Sequence, residues 1–108
     1  GAFVARDAVY GSPKGSYRAL MLIGASIALD IPKLKRLGIE RVVMASGDYD
    51  GARRAMLRST ALLVRGGIEA RFISTGRIYH QLPANLGAIV AKQLPWLEAA
   101  RGQPVAAL

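Results

Sequence analysis

Three short apolar runs, separated by segments of helical periodicity, decide what this chain can fold into. Arg18-Ala-Leu-Met-Leu-Ile23 ends at Gly24, Glu40-Arg-Val-Val-Met-Ala45 ends at Ser46-Gly47, and Ile68-Glu-Ala-Arg-Phe-Ile-Ser74 ends at Thr75-Gly76. Segments of this length and character, bounded by small residues, read as strands; the first reads as a strand buried on both faces, and the third, with Glu69 and Arg71, as one with partial alternation. Each is followed by the marks of a helix. Asp30 can cap the first helix, Pro32 suits its opening turn and Gly38 ends it. The second runs over about 52–65. At 100° per residue, Met56, Leu57, Thr60, Leu63 and Val64 share one face, Arg54, Arg58 and Arg65 lie opposite, and Gly66-Gly67 stops the helix. The third starts near Pro83–Asn85, gathers Leu86, Ile89, Val90 and Leu97, and meets Pro95, which should kink or divide it.

This order is a run of βα units. Right-handed crossovers turn it into a parallel three-stranded sheet with helices on both faces, a Rossmann-like α/β fold. With 108 residues, the chain is expected to be a single α/β domain over 1–108 or part of one. The tail from Gly102 to Leu108 reads as frayed. In such sheets chemistry gathers outside the carboxyl ends of the strands, here 24–29, 46–51 and 75–83.

Composition removes several classes of function. Hydrophobic residues make up 52% and charged residues 20%, which excludes a disordered chain. No apolar run approaches the roughly 18 residues of a membrane span, and no basic-then-apolar signal segment opens the sequence, so the compartment is not indicated. The absence of cysteine excludes disulfide scaffolds and thiolate metal sites, and one histidine leaves no room for a multi-histidine site; neither metal nor cofactor is expected. Fifteen Lys and Arg against 7 Asp and Glu give a net charge of +8. The basic residues are scattered from Arg6 to Arg101, with short clusters at Lys33–Arg36 and Arg53–Arg58. Aromatic residues are only 6%, a poor supply for stacking bases, so the charge reads mainly as a solvated basic surface and nucleic acid as a lesser alternative. Gly11-Ser-Pro-Lys-Gly-Ser16 has no preceding strand and reads as a surface turn rather than a phosphate loop.

The second strand ends in Ser46-Gly-Asp-Tyr-Asp-Gly51 and the third in Thr75-Gly-Arg-Ile-Tyr-His-Gln-Leu-Pro83. A carboxylate and the only histidine therefore lie just beyond consecutive strand ends, in the order acid then histidine. Acyl transfer needs that pair: the carboxylate fixes the imidazole tautomer and stabilises its cation, and the imidazole takes a proton from the nucleophile. Asp48 and Asp50 can also be read as caps or dipole partners of the next helix, and a lone loop histidine as an exposed residue. Asp48, Asp50 and His80 make only a weak metal-ligand pattern.

At these residues the sequence resembles the C-terminal half of an α/β-hydrolase of the carboxylesterase, phospholipase and dienelactone-hydrolase type. Gly47-Asp-Tyr-Asp50 is similar to that family's Gly-x-x-Asp turn after the seventh strand, which matches Asp50, not Asp48, to the catalytic acid. Gly76-Arg-Ile-Tyr-His80 is similar to the glycine-containing histidine loop after the eighth strand, with Tyr79 where the family often has glycine. Arg65-Gly-Gly-Ile68 and the closing Trp96-Leu97 also resemble the family, over Glu40–Leu97 in all. On the same resemblance Arg18–Ile23 is the sixth strand. Gly1-Ala-Phe-Val-Ala5 resembles the helix after a Gly-x-Ser-x-Gly elbow, which implies a nucleophilic serine two positions before Gly1; it reads equally as an ordinary helix start.

Gly24-Ala-Ser-Ile-Ala28 offers Ser26 as a second possible nucleophile, with the order Ser26, Asp50, His80. An elbow serine must lead straight into a helix, whereas Asp30 and Pro32 start the helix after a loop. Ser26 and Asp50 also leave no room for the strand–helix unit that normally lies between elbow and acid. The expectation is therefore a serine hydrolase of esters or thioesters whose acid and histidine are Asp50 and His80. Its partners would be a small-molecule ester and, along the first-strand edge, the rest of the domain or another chain. The alternatives are a non-catalytic α/β binding module that uses that edge, or a basic nucleic-acid-binding domain.

Overall fold

The computed structural model describes residues 9–99 and 105–107. β1 (Ala19–Ile23), β2 (Arg41–Ser46) and β3 (Glu69–Ser74) form where the apolar runs lie, each starting one residue later than its run. They pair in parallel, with Leu20 beside Val42 and Val42 beside Ala70. The helices are α1 (Ile31–Leu37), α2 (Arg53–Arg65) and α3 (Leu86–Glu98). The Asp30 side chain caps α1 by accepting the Lys33 N–H at 3.1 Å, and Gly38 closes it in the left-handed region at φ 94°.

Strand side chains alternate between two cores. Leu20, Leu22, Val42 and Met44 pack with Leu34 of α1 and Met56 and Leu63 of α2. Ala19, Met21, Ile23, Val43 and Ala45 pack with Leu97 of α3, beside Leu86, Ile89 and Val90. Every residue of β1 is buried, as the apolar run requires. Trp96 ties α3 to the sheet: the Arg71 guanidinium lies 3.9 Å from its ring centroid, and Arg41 donates to its carbonyl at 2.7 Å. The fold is thus α/β, with parallel strands in one sheet and helices on both faces.

Three expectations need correction. The apolar face of α2 is narrower than its periodicity suggests: Met56 and Leu63 are fully buried, while Leu57 is 38% and Val64 56% exposed. The buried row follows Ala52, Met56 and Leu63, and Leu57 and Val64 each stand one step of about 100° away from it. Pro95 lies inside α3 and does not divide it. The tail does not wholly fray: Val105–Ala107 forms β4, parallel to Ala19–Met21, giving the strand order β3-β2-β1-β4. An open β1 edge exposes N–H and C=O groups, and a three-residue strand is enough to pair part of it. The edge expected to receive the rest of a domain or another chain is therefore partly taken by this chain itself. The elbow-like Gly1–Ala5 lies outside the described residues. Among the described residues, no helix is long and apolar enough to cross a membrane.

Candidate active site

β2 delivers the chain into the tight turn Gly47–Asp50, closed by the Asp50 N–H donating to the Gly47 carbonyl at 3.1 Å. The turn swings the Asp50 side chain back over the sheet end, where it is 3% exposed. Its Oδ1 accepts the Ala52 N–H at 2.8 Å, at the entrance to α2. The same carboxylate thus holds the backbone at the N-cap residue of α2, although no side chain caps the helix itself.

β3 delivers the loop that carries His80. The loop leaves the strand at Thr75, whose N–H donates to the Ser46 carbonyl at 2.9 Å, and turns at Gly76 with φ +115°. It then crosses the acid turn closely enough that a Cβ on Gly47 would collide with the Ile78 carbonyl. His80 Nδ1 ends 3.0 Å from both Oδ1 and Oδ2 of Asp50. A carboxylate only accepts, so this contact keeps the proton on Nδ1 and leaves Nε2 as the base of the ring. The His80 side chain is 71% exposed, so that base can meet an incoming group.

The end of β1 completes the surroundings. Gly24 has φ +61°, and a Cβ there would lie 3.5 Å from Asp50 Oδ2 and 3.6 Å from His80 Cε1. A cleft of about 210 Å³ runs beside the dyad, lined by Ile23, Gly24, His80, Gln81 and Leu82. The exposed rings of Tyr49 and Tyr79, each one residue before a dyad member, lie 5.3 Å apart.

The structure brings Asp50 and His80 together and leaves Ser26 elsewhere. Ser26 is exposed and lines a different depression of about 320 Å³, with Leu29, Ala55, Arg58 and Leu62 among its other walls. No regular element starts at Ser26; the chain stays irregular until α1 opens at Ile31. Asp48 is not beside the imidazole either, for its Oδ1 accepts the Ser74 hydroxyl at 2.6 Å. Among the described residues, no group of three or more His, Cys, Asp and Glu could hold a metal ion.

Gly24, Ser74 and Ile78 help to build the site but were not singled out as site residues from sequence. The sequence signal that could have found Ile78 is Gly47, where a crossing backbone leaves no room for a side chain, whereas Gly76 serves its own turn at φ +115°. Comparison of the chain with protein-family models, with curated proteins and with solved structures gave no match.

Proposed function

We propose that this chain carries the acid and the base of a serine hydrolase of carboxylic esters or thioesters, organised as the C-terminal half of an α/β-hydrolase. One observation carries the proposal: His80 Nδ1 lies 3.0 Å from the carboxylate of a buried Asp50, at the carboxyl ends of neighbouring parallel strands. That is the geometry of a base held by its orienting acid.

In this mechanism His80 Nε2 takes the proton of a serine hydroxyl as the oxygen attacks the acyl carbon. It then returns the proton to the departing alcohol or thiol, and the sequence repeats with water to release the acid. Asp50 holds the Nδ1–H tautomer and stabilises the imidazolium; it is not itself protonated. The serine, and the N–H group that follows it in the oxyanion hole, are supplied from outside residues 1–108 in this reading. Ser26 is disfavoured because it lies in its own depression and no helix begins at it. β4 pairs with Ala19–Met21, so the first-strand edge is partly occupied for the rest of a hydrolase domain as much as for a binding partner.

The test is hydrolysis of 4-nitrophenyl acetate by the full-length gene product. His80→Ala should lower kcat/KM by about 10³-fold or more, and Asp50→Ala by about 10²–10⁴-fold. Gly1–Leu108 alone should not exceed the rate of free imidazole. A His80→Ala enzyme within about tenfold of the parent would overturn the proposal, since a general base alone contributes about 10²–10⁴-fold.

A further inference from the structure

His80 has to be delivered to Asp50 by a loop with no secondary structure of its own. Its ring is 71% exposed, and among the described residues Asp50 is its one hydrogen-bond partner. Residues 75–79, left free, would spread the imidazole over many positions, and fixing them costs conformational entropy.

A closed ring of hydrogen bonds opposes that spread. The Ser74 hydroxyl donates to Asp48 Oδ1 at 2.6 Å and accepts the Gly76 N–H at 3.0 Å. The Asp48 N–H in turn donates to the Gly76 carbonyl at 2.9 Å. One residue further along the acid turn, the Tyr49 N–H donates to the Ile78 carbonyl at 3.1 Å. One residue further again, Asp50 meets His80. The loops therefore join at 48–76, 49–78 and 50–80, with two residues of the histidine loop passing for each residue of the acid turn. The short Ser74–Asp48 bond has the length of a charge-assisted one, and it anchors the row where the loop leaves β3.

We propose that Asp48, Ser74 and Gly76 form a clasp that holds the His80 loop in register with the acid turn. Asp48 is then a positioning residue acting through the loop, not a second acid. The catalytic meaning of the clasp rests on the hydrolase proposal; its structural effect does not.

The test uses the 108-residue protein with ¹⁵N-labelled histidine and compares Asp48→Ala, Ser74→Ala and Asp48→Asn. Two signals are read: the His80 ring nitrogens, which report where the proton sits, and amide exchange at Tyr49, whose bond to Ile78 none of the substitutions removes. In Asp48→Ala and Ser74→Ala the ring signals should move toward those of a histidine in an unstructured peptide. Tyr49 exchange should rise about five- to tenfold, the size of one lost hydrogen bond. Asp48→Asn keeps an acceptor oxygen but not the charge, and should fall between the parent and Asp48→Ala in both signals. Unchanged ring signals and Tyr49 exchange in folded Asp48→Ala would overturn the clasp. So would a loss in Asp48→Asn as large as in Asp48→Ala, which would make charge, not the hydrogen bond, the cause. Should Asp48→Ala not fold, Ser74→Ala decides by the same criteria, because Ser74 is exposed and its truncation opens no cavity. None of these signals needs a nucleophile. A clasp that responds as predicted, together with a full-length gene product whose ester hydrolysis does not depend on His80, would keep this inference and sink the function proposed above.

Discussion

Gly47 carries more of the site than its size suggests, because the Ile78 carbonyl passes where its side chain would be. Gly47→Ala should push the histidine loop away from the acid turn and cost roughly 1–3 kcal/mol, the range for overpacking a tight contact. Urea denaturation would show this as a lower midpoint at unchanged slope; a midpoint equal to the parent's would mean that the loops do not cross this closely in solution. The same residue shows how much of the site can be read from sequence. Asp50 and His80 were legible because a carboxylate and the one histidine lie just beyond consecutive strand ends, and Gly47 because Gly47-Asp-Tyr-Asp50 resembles the Gly-x-x-Asp turn. Ser74 and Ile78 were not, since a hydroxyl and a backbone carbonyl take their parts through space, 26 and 31 residues from Asp48 and Gly47. Choosing Asp50 over Asp48 rested on the resemblance to the α/β-hydrolase turn, and the structure gives the two carboxylates different partners, His80 and Ser74.

Among the elements, α1 was the most legible, because cap, proline and terminal glycine each act locally. The buried width of α2 was not, since which neighbours of Met56 and Leu63 are covered depends on what packs against the helix. β4 escaped for a related reason: Val105–Ala107 has little strand character of its own, and its place is set by the unpaired edge of β1. α3 holds an anomaly that periodicity passes over. Gln93 falls on the core-facing row with Leu86, Ile89, Val90 and Leu97, is 7% exposed, and its Oε1 has no hydrogen-bond partner among the described residues. A buried polar atom without a partner is costly, so Gln93→Leu, similar in size, should stabilise the protein by about 1–2 kcal/mol. A rise in the urea midpoint checks this. A fall would mean that the amide has a partner in solution.

At the scale of the molecule, a parallel α/β sheet concentrates function at the carboxyl ends of its strands. Gly24 after β1, Asp50 after β2 and His80 after β3 meet there. The fold class was legible because three βα units leave few ways to pair and cross. The nucleophile was not, because the only serine in an elbow-like setting, Ser26, sits in a separate depression. Whether Asp50 and His80 work as the acid and base of a hydrolase is tested most directly by mapping the residue that a fluorophosphonate labels in the full-length gene product. The account predicts one labelled serine, outside residues 1–108, with labelling abolished by His80→Ala and weakened by Asp50→Ala. Stoichiometric labelling of Ser26, or labelling that survives His80→Ala, would contradict it.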